Sequence, residues 1–273
     1  MALLPAAMVL VGCGKMGAAL LNGWLEHGVP ADSIRIVEPD PANAAIAAGC
    51  GVAVVDDPDA LDADPLPDVI VLAVKPQRLD ALLSAYQRFV SRGSAVLSIA
   101  AGKTIGGLNH GLGGAAAVVR AMPNTPASIG RGITVACANE RASPEQRAVC
   151  DALLACVGSV LWIEDEHFMD AVTAVSGSGP AYVFLLAECL ARAGEEAGLP
   201  ADVAARLARE TVAGAGAMLA RLSQSPDILR ENVTSPGGTT AAALAALQGE
   251  DGLQPLMDRA VAAAARRAAE LAT

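Results

Sequence analysis

Eight short runs of mostly Val, Ile, Leu and Ala punctuate residues 8 to about 164, and none follows: MVLVG, SIRIVE, GVAVV, DVIVLAV, SAVLSIA, AAVVRA, GITVACA and SVLWI. Most are apolar throughout rather than on alternate residues, so each needs cover on both faces. A parallel sheet flanked by helices provides that cover. Between most of the runs lie segments of helical period such as KMGAALLNGWLEHG and PQRLDALLSAYQRFV, the alternation of an α/β domain. Beyond residue 165 only helical spacing remains, in PAYVFLLAECLARAGEEAG, ADVAARLARETVAGAGAMLARL, SPDILREN, the segment after SPGG and LQPLMDRAVAAAARRAAELA. Gly198 and Pro200 punctuate the first two as a helix stop and a new start. The expected fold is α/β over residues 1–164, then an all-helical domain over 165–273.

The helical domain carries Ala and Gly on nearly every face, and only 3% of the whole chain is aromatic. Five such helices make a thin core, so they are expected to bury surface against a second copy of the chain; the alternative is a self-sufficient bundle. The net charge of −10 and the lack of any Lys or Arg run longer than Arg266-Arg267 argue against nucleic acid. Six cysteines (Cys13, Cys50, Cys137, Cys150, Cys156, Cys189) form no CxxC pair, so neither a zinc site nor a disulfide framework is expected, and a reducing cytoplasm suits them. The apolar N-terminus lacks a basic leader and reads as a first strand. No uninterrupted apolar stretch approaches the roughly 20 residues of a membrane span.

Gly12, Gly14 and Gly17 form GxGxxG, within VGCGKMG, directly after the first apolar run and at the opening of a helical segment. That context is the one a dinucleotide pyrophosphate requires: a tight turn, close backbone approach and a helix start. Cys13, Lys15 and Met16 complete the loop as cofactor-binding candidates, and the domain is expected to be of Rossmann type. Glu38 follows at the end of the second run, where an acid accepts from ribose hydroxyls of NAD and repels the 2′-phosphate of NADP. Glu38 therefore leans the cofactor, NADPH or NADH, towards NADH; the alternative is an exposed loop carboxylate. AVKPQ (Ala73, Val74, Lys75, Pro76) and IAAGK (Ala100, Ala101, Gly102) close the fourth and fifth runs, as further cofactor contacts or as ordinary strand-end turns.

A second candidate anion cradle is SPGGTT at 235–240, two glycines among hydroxyl side chains opening a helical run. Taken alone, it is equally a hydroxyl-capped helix start. Together with VGCGKMG and AVKP, the stretches RAMPNTPASIGRG, AVSGSGPAYVF and NVTSPGGTT closely resemble the Δ1-pyrroline-5-carboxylate reductase family over essentially the whole chain. The resemblance implies reduction of 1-pyrroline-5-carboxylate to L-proline by hydride from NAD(P)H, the last step of proline biosynthesis. It further implies a helical dimerisation domain and an active site between the two domains. By that match Gly237, Gly238, Thr239 and Thr240 bind substrate, Gly238, Thr239 and Thr240 through backbone N–H groups. Ser235 adds a hydroxyl, and the Thr240 hydroxyl faces the ring nitrogen. Ser176 and Ser178 are further substrate candidates, and Asn124, Glu166 and Asn232 are placed near the cofactor. The expected partner is a second copy, as a homodimer or a decamer of dimers.

The residue inventory fits an imine better than a ketone. Ketone reduction needs a proton donor, usually His, Lys or Tyr, and beyond residue 167 there is no His, beyond 103 no Lys. A protonated cyclic imine is already electrophilic. The same inventory weighs against a β-hydroxyacid-dehydrogenase-like enzyme, which relies on a lysine in its second domain. The remaining alternatives are a reductase of another cyclic imine and a non-catalytic dinucleotide sensor.

Overall fold

The structure, a computed structural model, describes residues 4–271. All eight runs form strands: β1 (Met8–Val11), β2 (Ile34–Val37), β3 (Ala53–Val55), β4 (Val69–Leu72), β5 (Ala95–Ser98), β6 (Ala117–Met122), β7 (Gly132–Ala138) and β8 (Gly158–Trp162). They join one sheet in the order β3-β2-β1-β4-β5-β6-β7-β8. Helices α1 (Lys15–Glu26), α2 (Pro41–Gly49), α3 (Pro76–Leu79), α4 (Gln87–Val90), α5 (Ile105–Gly111) and α6 (Pro144–Ala155) lie between strands. They are followed by α7 (Met169–Val172), α8 (Gly179–Glu196), α9 (Ala201–Arg221), α10 (Pro226–Asn232), α11 (Thr239–Leu247) and α12 (Leu253–Leu271).

Every residue of β1, β4 and β5 is buried, as continuous apolar runs demand. One face packs Leu20, Leu21 and Trp24 of α1 with Leu153 and Leu154 of α6, and the Trp24 indole N–H donates to the Leu153 carbonyl at 2.9 Å. The opposite face packs Leu79, Leu83, Tyr86 and Phe89 against Val9, Val11, Ile70 and Val96.

Two expectations need correction. The sheet is not wholly parallel: β7 runs antiparallel to β6, with β8 parallel to β7. Only residues 123–131 connect β6 to β7, too short for the helical crossover a parallel return requires. PQRLDALLSAYQRFV is also not one helix; α3 and α4 flank a 3₁₀ turn at Leu83–Tyr86. Its buried side chains at 83, 86 and 89 recur every third residue, the period of the tighter winding.

By packing, the chain divides into a unit running to Gly177 and including the segment from Ala265, and a second unit, Ser178–Ala264. The strand pattern stops at β8. Packing divides the chain later because Met169 of α7 sits with Val135 and Cys137 of β7. In the second unit α8 and α9 pair closely, and Gly194 permits it: a Cβ there would lie 3.2 Å from the Ala204 Cβ. Among its described side chains only Ala204 and Ala208 are buried hydrophobics.

Candidate active site: two anion cradles

The strand register builds the first cradle. Val11 pairs with Val37 on one side and Leu72 on the other, and Leu72 pairs with Ser98. The segments after β1, β2, β4 and β5 therefore leave the sheet along one edge. Strand order reverses between β1 and β4, the place where such sheets bind ligands.

The three glycines of the motif have different reasons to be glycine. Gly12 has φ +90°, and a Cβ would lie 2.8 Å from the Val74 Cγ1; at Gly17 a Cβ would lie 2.2 Å from the Gly12 carbonyl oxygen. The protein itself requires both. Gly14 has φ −68°, and a Cβ there would meet no atom within 4 Å. Nothing in the protein demands its small size, whereas a ligand lying there would. Behind it α1 starts without a side-chain cap and without an acid in its first turn, leaving its N–H groups directed at an anion. These residues fit a dinucleotide pyrophosphate. A cleft of about 650 Å³ opens here, with Gly14, Glu38, Val74 and Lys75 in its lining.

Glu38 is 7% exposed, not a loop carboxylate in solvent. Its Oε2 accepts the Cys13 N–H at 2.6 Å and its Oε1 the Asp40 N–H at 2.9 Å, so the charge is fixed at the cleft. Burial first, then the Glu38 charge and Cys50, pushes the Cys13 thiol up to about 11. Cys13 contributes a backbone donor and no thiolate.

Of the other candidates, Lys15 is exposed and Met16 half-buried on the first turn of α1. Ala73 donates its N–H to the Val11 carbonyl at 2.8 Å, and Lys75 occupies the N-cap position of α3, followed by Pro76. Ala100 and Gly102 are buried and Ala101 half-buried, with Gly102 at φ +74°. Lys103 pairs with Asp80 at 2.6 Å, tying the segment after β5 to the end of α3.

Asn124 and Ser176 are brought together. The Asn124 amide donates to the Ser176 carbonyl at 3.2 Å and accepts from the Ile133 N–H at 3.0 Å. The Ser176 hydroxyl donates to the Val172 carbonyl across a π-helical turn at Thr173–Gly177. Glu166 Oε1 accepts both the Arg120 guanidinium at 2.7 Å and the Ile105 N–H at 2.8 Å. Sequence reasoning gave Arg120 no role, yet it is only 5% exposed. A lone charge inside the apolar run AAVVRAM was its signal.

The second cradle lies in the helical unit. Ser178 is the N-cap residue of α8 and makes no capping bond with its side chain. At Ser235–Gly238 the Gly238 N–H donates to the Ser235 carbonyl at 3.0 Å and Gly237 has φ +71°, a tight turn with Pro236 at its second position and glycine where positive φ is needed. Gly238 is thereby spent as a donor, correcting the expectation that it offers its N–H. Thr239 and Thr240 open α11, which has no side-chain cap and no acid in its first turn. The hydroxyls do not cap this helix; its first N–H groups stay open to an anion. Asn232 closes α10 and is exposed.

This sheet, with a cleft that fits a dinucleotide where its strand order reverses, is that of a nicotinamide-dependent oxidoreductase. Residues 7–102 match the family described as NADP oxidoreductase coenzyme F420-dependent, and residues 166–271 match pyrroline-5-carboxylate reductase dimerisation. The chain is 42% identical over 266 residues to the pyrroline-5-carboxylate reductase of Pseudomonas aeruginosa, covering 97% of this chain and 96% of that one. A pyrroline-5-carboxylate reductase structure from Coxiella burnetii superposes with TM-score 0.92 at 35% identity, over 98% of this chain and 99% of that one. The NADP-bound Plasmodium falciparum pyrroline carboxylate reductase matches with TM-score 0.83 at 28% identity, over 98% of each. The chain belongs to the pyrroline-5-carboxylate reductase family.

One expectation changes here. Among the described residues the helical stretch Glu166–Glu196 is long and apolar enough to cross a membrane, with mean hydropathy 1.3. Uninterrupted apolar character is not required for that: glycines and serines dilute the run without removing its hydropathy. The match to pyrroline-5-carboxylate reductase dimerisation covers the same stretch.

Proposed function

We propose that the chain reduces 1-pyrroline-5-carboxylate to L-proline, the last step of proline biosynthesis, with NADH as the preferred donor. The observation that carries this reading is the open start of α11: an anion seat built from backbone donors, on a helix that carries no charged side chain of its own. A cation beside the substrate carboxylate would also disfavour the protonated ring nitrogen that makes the C=N carbon electrophilic. Backbone N–H groups at a helix start hold the carboxylate with only partial charge.

Thr239 and Thr240 N–H groups bind the carboxylate, with Gly237 shaping the turn and Ser235 adding a hydroxyl. The Thr240 hydroxyl faces the ring nitrogen and fixes the imine. When bound, the reduced nicotinamide supplies the hydride. Gly12, Gly14 and Gly17 admit the pyrophosphate; Lys75 and the Ala100–Gly102 turn border the rest of the cofactor. The NADH preference rests on Glu38, whose charge is held at the cleft by two backbone donors, where it accepts from ribose hydroxyls and opposes a 2′-phosphate. Asn124, Glu166 and Ser176 shape the surrounding shell, and Asn232 and Ser178 are kept as contacts on the helical side. The working assembly is a homodimer. A decamer of dimers would need a further surface and is not proposed. Six free thiols suit a reducing cytoplasm.

The test is oxidation of NADH and NADPH by 1-pyrroline-5-carboxylate, for the wild type and Thr240→Ala. The expected result is faster turnover with NADH and a loss of about a hundredfold in kcat for the variant, the size of one lost polarising contact, with dinucleotide affinity unchanged. Wild-type turnover by Thr240→Ala would remove the assigned role. No oxidation of either cofactor would return the sensor reading.

A further inference from the structure

Glu38 is not the only carboxylate in the cleft. Asp40 lies two residues on, and Asp40, Asn43 and Asp56 line the same space as Glu38. Asp40 is the N-cap residue of α2, its Oδ1 accepting the Ala42 and Asn43 N–H groups at 3.0 Å each. Its own N–H holds the Glu38 Oε1 at 2.9 Å. A helix start is an anion seat by virtue of its open N–H groups and dipole, and here the chain's own carboxylate fills it. Lys75 and Arg78 line the cleft as well, so its lining carries both signs.

We infer that Asp40 is a second specificity-determining residue for the dinucleotide, excluding a 2′-phosphate by adding its charge, held at the α2 N-terminus, to that of Glu38. This rests on the reading that Glu38 favours NADH. It goes beyond that reading in making the exclusion a property of two residues, one gripping a helix start and the other gripped by it. A phosphate at this position would meet two carboxylates, whereas a ribose hydroxyl needs only an acceptor. Replacing Glu38 alone therefore opens the site in part.

The experiment measures calorimetric Kd values for 2′,5′-ADP and 5′-AMP, which differ by the 2′-phosphate, on wild type, Asp40→Ser, Glu38→Ser and the double variant. Serine still caps a helix, so Tm for Asp40→Ser is expected to stay within a few degrees of wild type. Asp40→Ser is expected to raise the affinity for 2′,5′-ADP about fivefold, the size of one exposed charge pair, leaving 5′-AMP within about twofold. That gain shrinks at about 1 M salt, because screening acts on charge and not on packing. The double variant is expected to exceed either single one. Unchanged 2′,5′-ADP affinity in a well-folded Asp40→Ser, or a gain indifferent to salt, overturns the role of Asp40 even where Glu38→Ser gains. Wild type binding 2′,5′-ADP more tightly than 5′-AMP overturns the NADH reading instead. The Asp40 comparison is still read against wild type, and a salt-sensitive gain there supports it on its own.

Discussion

The two units of this chain are built from similar residues and finish their cores differently. The α/β unit encloses a core of large side chains, with Trp24, Tyr86 and Phe89 all at 0% exposure. The helical unit leaves Phe184 68% exposed, with Leu185, Leu186, Leu190 and Leu207 exposed as well, and no residue of α8 is buried. An apolar helix face left open over several turns is one meant to be covered. At about 2 kcal/mol for fully burying a large apolar side chain, those five, each about half exposed, forfeit about 5 kcal/mol in a lone chain, a large share of a domain's whole stability. One unit closes its core with its own sheet and helices; the other leaves that closure to a second copy.

The largest effect should come from breaking that second closure. Phe184→Asp places a charge on a surface destined for burial, at a cost of several kcal/mol. The expected outcome is loss of the dimer by sedimentation and a fall of at least about a hundredfold in proline formation, with dinucleotide binding by the α/β unit retained. An active Phe184→Asp dimer would show that α8 faces solvent in the working protein.

Next in size is a pair of glycine variants that separates folding from binding within the first unit. Gly14→Val adds a side chain into space where the protein has no atom within 4 Å, so Tm should hold while dinucleotide affinity falls about a hundredfold or more. Gly17→Ala drives a Cβ to 2.2 Å from the Gly12 carbonyl oxygen and should lower Tm before any ligand is added. The reverse pattern would mean that Gly14 is structural and the pyrophosphate lies elsewhere. Both positions read alike in the motif; only the coordinates divide them.

That division shows what the sequence could carry. All eight strands were legible because continuous apolar runs bounded by turn residues leave a buried strand as the plausible reading. The reversal at β7 was not, since strand direction depends on what a nine-residue connection, 123–131, can span. Glu38 was legible as an acid after the second strand, but its fixation by the Cys13 and Asp40 N–H groups depends on two segments meeting at the sheet edge. The Arg120–Glu166 pair joins residues 46 apart, a separation no local pattern reports. SPGGTT pointed to an anion seat, and the structure added that one of its expected donors, the Gly238 N–H, is consumed by its own turn.

The smallest effect sharpens the contrast by pH. In the α/β unit burial pushes the thiols of Cys13 and Cys137 up to about 11 and that of Cys150 to about 12, from 9.0. The Tyr86 hydroxyl is raised by burial too and finds no partner. A thiol whose pKa rises on folding contributes its full stability below its unfolded value, and loses it as pH climbs towards the folded one. Between about pH 9 and 11 the unfolded chain sheds protons that the native α/β unit retains, so native stability drains away over that window. The helical unit has one cysteine, Cys189, and it is exposed. We expect Tm to fall with pH above 9, and Cys150→Ala to lose a few degrees less over that window than wild type, the scale of about 1 kcal/mol. Parallel Tm profiles for the two proteins would mean that the Cys150 thiol titrates alike in the folded and unfolded chains, and that alkaline loss begins elsewhere.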